Sequence, residues 1–170
     1  MEYSYQFTHA IVRKPAKSIN NGLRAVDIGK PNYDQMMLDH SDYVDALISA
    51  GAQIIELSPL EKYPDAQFVE DTALCLPEGV ILMRPGAPSR LGEVEEIAPK
   101  LRDLFKKVYK IDEPGHVEGG DILVTGKEIL IGRSARTDKS GVSQLSEIIT
   151  SMGYVLRAVS YTHLTLPTKA

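Results

Sequence analysis

Residues 116–121 read HVEGGD and run directly into ILVTGKEILIG, an apolar stretch with strand character. An imidazole and two carboxylates are thus crowded beside two glycines, where a turn can aim an acid from the end of a strand. A second acid pair, Glu70 and Asp71 in VED, precedes another apolar hairpin, and an arginine follows each hairpin: Arg90 after VILMRPGAPS and Arg136 after ILIGRSA. Laid over one another, the two stretches repeat at a spacing of about fifty residues, the range in which repeats point to propellers or solenoids. Glu70 then matches Glu118, and Arg90 matches Arg136. In a cyclic repeat, acids entering and arginines leaving each hairpin at one end gather around one rim and line a polar channel. Carboxylates suit a cationic head, and guanidinium forks bind an anionic tail in a bidentate fashion. The implied ligand is a zwitterion with a positive end, such as an arginine-like amino acid.

The elements that must position these residues are legible as periodicity. Apolar residues at helical spacing predict helices in NYDQMMLDHSDYVDALISAG (Met37, Val44, Leu47, Ile48), LGEVEEIAPKLRDLFKK (Val94, Ile97, Leu101, Leu104) and KSGVSQLSEIITSMG (Val142, Leu145, Ile148, Met152). Gly51 and Gly153 supply C-terminal stops. The second helix has acids early and lysines late, as the helix dipole prefers, and Pro99 inside it predicts a kink. A strand-like run follows each helix: AQIIEL, KVYKID and YVLRAV. Hairpins TALCL-PEG-VILMR and DILVT-GKE-ILIGR precede the second and third helices. Cys75, in the first hairpin strand, is expected to be a buried small hydrophobe. Arg84 and Arg133 are expected to be solvated or salt-bridging.

The totals bound the class. The chain has 170 residues, 43% of them hydrophobic and 25% charged, which fits one globular domain and excludes disorder. A net charge of -4 without Lys/Arg-rich runs gives no electrostatic footprint for nucleic acid or an anionic membrane. A single cysteine and an N-terminus without a basic leader and apolar core lead to the expectation of a cytoplasmic protein. Glu70, Asp71, Glu118 and Asp121 lack the compact loop spacing of a calcium site, so a hard-cation reading ranks last.

Five motifs in order, FTHAIVRKP, PDAQFVEDTA, LMRPGAPSR, VEGGDILVTG and IGRSARTDKSG, closely resemble dimethylarginine dimethylaminohydrolases, members of the guanidine-modifying superfamily that includes arginine deiminases and amidinotransferases. The resemblance runs from about Phe7 to Ala158. It implies an α/β fold, a five-bladed α/β propeller of ββαβ units around a central channel, of which this chain supplies about three units. It also implies hydrolysis of N-methylated arginine to citrulline and a methylated amine, with no cofactor and no metal. A guanidinium is a poor electrophile because its charge is delocalised and it stays protonated. Carboxylates that grip its nitrogens prepare it for attack by a cysteine thiolate, while a histidine moves protons.

By matching motif, the resemblance implies that Asp65 and Asp71 grip the guanidinium and that Glu70 shapes the same wall. Arg90 and Arg136 would bind the substrate carboxylate, and Leu23 would belong to the loop that closes over the substrate. Glu118 would orient the catalytic histidine, the third group of a nucleophile, base and orienter. His116 is not that histidine, because the family's histidine lies in a later motif. Neither that motif nor the family's late cysteine is matched here, so the 170 residues are expected to be inactive alone, and exposed strand edges are expected to favour aggregation. The tail 159–170, VSYTHLTLPTKA, departs from the family pattern and back-translates to a transposon-based sequencing adapter. It is therefore expected to be non-native, with residues 1–158 the N-terminal part of the hydrolase domain. Two rivals stay open: an arginine deiminase or amidinotransferase sibling, and a non-catalytic guanidine-binding module. A homodimer of the intact parent is also left open.

Overall fold

Strand β1 (His9–Arg13) pairs in parallel with β2 (Gln53–Leu57), and helix α1 (Tyr33–Ser49) makes the crossover between them. The computed structural model describes residues 7–27, 29–126 and 128–160, and the chain divides into two compact units, Tyr5–Val69 and the segment from Glu70 onward. Within the first unit, α1 starts where the Asn32 side chain accepts from the Gln35 amide, an N-cap. Met37, Val44 and Leu47 are half-buried as their spacing predicts, whereas Ile48 is exposed and no residue of α1 is fully buried.

The second unit contains the expected repeat. Strands β3 (Ala73–Leu76) and β4 (Gly79–Leu82) form an antiparallel hairpin, helix α2 (Glu93–Leu104) follows, and β5 (Val108–Lys110) joins β4 in parallel. The pattern then recurs with the hairpin β6 (Ile122–Thr125) and β7 (Glu128–Arg133), helix α3 (Lys139–Ser151) and β8 (Val155–Ser160), parallel to β7. Two ββαβ units therefore stand in sequence. In each, the central strand carries the core: Val80, Ile81 and Leu82 are buried, with Met83 just beyond β4, as are Ile129 and Ile131. A strand flanked on both sides buries its apolar residues on both faces, and each such side chain stabilises by about 1.5–3 kcal/mol.

One continuous cluster, including Ile81, Met83, Ile111, Val117, Ile129, Ile131, Leu145 and Ile149, joins the two ββαβ units. Backbone contact also closes the first ββαβ unit on itself. Gly79 has φ +156° and lies so close to Lys107 that a Cβ would sit 2.7 Å from its carbonyl oxygen, which brings β5 against the hairpin turn. Pro99 is accommodated inside α2, which runs unbroken from Glu93 to Leu104.

Cys75 corrects an expectation. It is exposed, because β3 is an edge strand whose alternation turns Leu74 and Leu76 toward the core and Cys75 away from it. The expected boundary at Ala158 falls inside β8, and residues 161–170 of the expected tail lie outside the described residues.

Candidate functional site

The acids and arginines singled out by the repeat form two ion-paired sets at the starts of β3 and β6. A 3-10 turn, Val69–Thr72, delivers Asp71, and its counterpart, Gly119–Asp121, follows Glu118. Arg90 closes a short 3-10 turn just before α2. Its Nη1 donates to Asp71 Oδ2 at 2.5 Å, while Nε and Nη2 donate to Glu93 at 2.8–3.1 Å. All three residues are buried. Burying charge is tolerable only with opposite charge and directed hydrogen bonds, which this fork supplies. The acid that pairs with Arg90 is thus Asp71, not its neighbour Glu70.

Glu118 is fully buried, at 0% exposure. Arg136 Nη1 approaches its Oε2 at 2.9 Å, with the Arg136 side chain 55% exposed. The Gly86 backbone amide also reaches this carboxylate, which otherwise rests on its ion pair with Arg136. Burial raises the Glu118 pKa above the ordinary glutamate value, an effect partly offset by the Arg136 and Arg90 charges and the Gly86 backbone amide. Glu70 is also raised by desolvation and by the neighbouring Asp71 charge. That residue is nonetheless exposed overall, so the crowding is local to its carboxyl.

The two sets are stitched together by close backbone approach. Gly120 N donates to Asp71 Oδ1 at 2.9 Å. A Cβ on Gly119 would lie 1.8 Å from the Glu70 carbonyl oxygen, and one on Gly86 would lie 2.7 Å from the Arg136 Cα. Glycine is required at both places by space. The glycines of EGGD therefore do more than turn the chain.

Leu23 and Asp65 meet within the first unit. The Leu23 amide donates to both oxygens of Asp65, at 3.1 and 3.2 Å, while the Leu23 side chain is 59% exposed. A Cβ on Gly22 would sit 2.7 Å from Asp65 Oδ1, so the NGL sequence allows this approach. Upstream, Glu61 accepts from the amides of Lys17 and Ser18 and tethers the 3-10 turn that leads into Leu23.

Other groups singled out by the sequence lie apart from these pairs. His116 Nδ1 is 3.1 Å from Asp138 Oδ2, and its Nε2 contacts Arg84, which bridges to Glu113 at 2.9 Å. Arg84 is salt-bridged as expected, and Arg133 is exposed. Glu93 went unrecognised in the sequence. An acid in the first turn of a helix is ordinarily explained by the helix dipole, and only its burial against Arg90 distinguishes it from Glu95 and Glu96. Among the described residues, no group of three or more His, Cys, Asp or Glu side chains is placed to hold a metal ion. No described helix is long and apolar enough to cross a membrane.

Comparison with known proteins shows the family. The family model described as arginine deiminase matches residues 35–164. The chain belongs to the arginine deiminase family. Among its relatives in that family, the N(G),N(G)-dimethylarginine dimethylaminohydrolase of Pseudomonas aeruginosa is 40% identical over 162 residues, covering 93% of this chain and 64% of the relative. The enzyme of the same name from Streptomyces coelicolor is 33% identical, covering 88% of this chain and 58% of the relative. The solved Pseudomonas aeruginosa structure of a cysteine-to-serine mutant with citrulline superposes with a TM-score of 0.91 at 38% identity, over 94% of this chain and 63% of that one. The N-terminal domain of a cyanobacterial arginine dihydrolase shares the fold, with a TM-score of 0.75 at 16% identity over 88% of this chain and 56% of that one. The resemblance to dimethylarginine dimethylaminohydrolases read from the five motifs is borne out. The chain spans somewhat over half to just under two thirds of the length of these arginine deiminase family relatives.

Proposed function

We propose that this chain carries the guanidine-binding half of an N-methylarginine hydrolase, and that the whole protein converts N-methylated arginine to citrulline and a methylated amine. The observation that carries the reading is the charge balance of the second unit's site. Among the described residues, four carboxylates, those of Glu70, Asp71, Glu93 and Glu118, gather around the two guanidiniums of Arg90 and Arg136, an excess of acids. A cationic guanidinium ligand offsets that excess. Kinship with dimethylarginine dimethylaminohydrolases at 40% identity supports the same chemistry.

In this reading Asp71 bonds the guanidinium nitrogens and Glu70 shapes the same wall, and its motif gives Asp65 a guanidinium-binding role. Arg136, half exposed, meets the substrate carboxylate together with Arg90. Leu23 belongs to the covering loop, and Glu118 orients a histidine. Cys75 and His116 fill neither the nucleophile nor the proton-transfer position, so the 170 residues bind without turning over. The two observed ββαβ units are read as successive blades of a five-bladed α/β propeller.

Isothermal calorimetry of the 170-residue chain with N-methylated arginine, arginine and citrulline tests the binding half, and heat from the methylated ligand is expected. A folded sample that gives no heat with any of the three overturns it. The match to the arginine deiminase model favours a second reading, deimination of unmethylated arginine. In the whole protein, methylamine released from methylated arginine supports the first reading, and preferential ammonia release from arginine supports the second.

A further inference from the structure

Asp121 and Thr137 appear in the motifs VEGGD and SARTD, yet neither the guanidine-binding reading nor the charge balance uses them. Both are buried, at 9% and 1% exposure. Asp121 Oδ2 accepts two hydroxyls, from Thr137 Oγ1 at 2.6 Å and Ser134 Oγ at 2.7 Å. Each hydroxyl has spent its only proton on that oxygen, so its lone pairs face the backbone. Thr137 Oγ1 accepts the amide of Glu118 at 3.2 Å. Ser134 Oγ accepts the amides of Arg136 and Thr137, at 3.0 and 3.2 Å. One carboxylate oxygen therefore orders two hydroxyls, and those hydroxyls fix the backbone of both members of the Glu118–Arg136 ion pair.

We propose that Asp121, acting through Thr137 and Ser134, is the positioning residue that holds the Glu118 carboxylate against Arg136. The proposal rests on Glu118 being the active carboxylate of the reading above, but it concerns only how that carboxylate is held. The geometry adds a restraint on the main chain of this fully buried acid to the contacts its carboxyl makes with Arg136 and the Gly86 amide. It also explains why Arg136 can stay half exposed and still remain paired, since its amide is tied down at Ser134. A charge-assisted bond to a hydroxyl is short and directional, as both Asp121 contacts are.

The test follows Glu118 by carbon-13 NMR of its carboxyl, assigned with Glu118→Gln, across pH in the ligand-free 170-residue chain. Thr137→Val keeps the shape and deletes the hydroxyl, whereas Thr137→Ser keeps the hydroxyl. Thr137→Val is expected to let water reach the carboxyl and move its midpoint down toward an ordinary glutamate, with Thr137→Ser restoring the parent value. A merely structural threonine would lower overall stability and leave that midpoint in place. An unchanged midpoint in folded Thr137→Val overturns the proposal. Should Thr137→Val not fold, Asp121→Ala is read by the same criterion. The unmutated chain supplies a third reading: a slowly exchanging Thr137 hydroxyl proton close to the Glu118 amide is expected, and its absence also overturns the assignment. None of these readings needs a ligand, so they stand or fall separately from the calorimetry.

Discussion

The amide of Gly120, in the second ββαβ unit, donates to the carboxylate of Asp71, at the start of the first, across 2.9 Å. Asp71 turns its other oxygen to Arg90. The acid is thereby shared between the hairpin that carries it and the hairpin that follows in sequence. The close approach depends on the absence of a side chain at Gly119, and the predictions begin there.

A Cβ at Gly119 would collide with the Glu70 carbonyl at 1.8 Å, and carbonyl oxygens in a tight turn cannot yield as a flexible side chain can. Gly119→Ala is expected to destabilise the chain by about 3 kcal/mol, the upper part of the range for overpacking. Urea unfolding against the unmutated chain measures it. A loss within about 0.5 kcal/mol would mean the turn relaxes freely.

Arg90 neutralises two buried acids. Arg90→Met fills the space but leaves Asp71 and Glu93 without their shared cation, and a cost of about 3–5 kcal/mol is expected for a broken buried pair. The double variant Arg90→Met with Glu93→Leu should recover part of that loss, since removing both partners together is often nearly neutral. Thermal unfolding of the two variants checks the order. Equal Tm values would contradict it.

Glu118 has a pH signature opposite to that of the usual carboxylate. Burial raises its pKa in the folded chain above the ordinary value of 4.5. Folding therefore favours the protonated form, and its contribution is fully present below pH 4.5 and lost as pH rises through the higher folded value. Glu118→Gln should accordingly be more stable than the parent at pH 7, with the gap closing as pH falls through the raised folded value toward 4.5. Arg136, half exposed, tolerates the loss of its partner. Chemical denaturation at pH 7 and pH 4 decides; a variant less stable at pH 7 would refute the sign.

Asp138 behaves in the ordinary direction. Its Oδ1 accepts the Gly141 amide at 2.7 Å and caps α3, and it faces His116 at 3.1 Å. Desolvation pushes its pKa up, but the Gly141 amide and the His116 contacts outweigh it, so the net shift is downward from 3.8. The stability it contributes is present above pH 3.8 and is lost as pH falls through the lower folded value. Asp138→Ala should cost about 1 kcal/mol at neutral pH, as N-cap removal commonly does, and less in acid. Helical ellipticity followed against pH in both chains provides the measurement.

Local signals determined much of this protein. Periodicity placed α1, α2 and α3, and alternating apolar runs bounded by Pro-Glu-Gly and Gly-Lys-Glu placed both hairpins, because these patterns report which face of a short segment is buried. The repeated acid-then-arginine spacing picked out Glu118 and Arg136, which the structure pairs at 2.9 Å. Five motifs sufficed to recognise the family.

What the tertiary structure decided was partnership. Whether Glu70 or Asp71 meets Arg90 depends on the pitch of a 3-10 turn, and Asp71 wins because that turn points it inward. Glu93 reads as a dipole-favoured surface acid until Arg90 folds back onto it. Cys75 reads as core until β3 proves to be an edge strand with one face in water. The sequence offers Asp121 only as one of four acids for a cation and does not single out Ser134 or Thr137, and only closure of the second hairpin brings the three within hydrogen-bond reach. Sequence patterns report the average environment of a face, whereas the pairing of individual polar atoms is set by loop closures between distant residues. Only the folded chain fixes those.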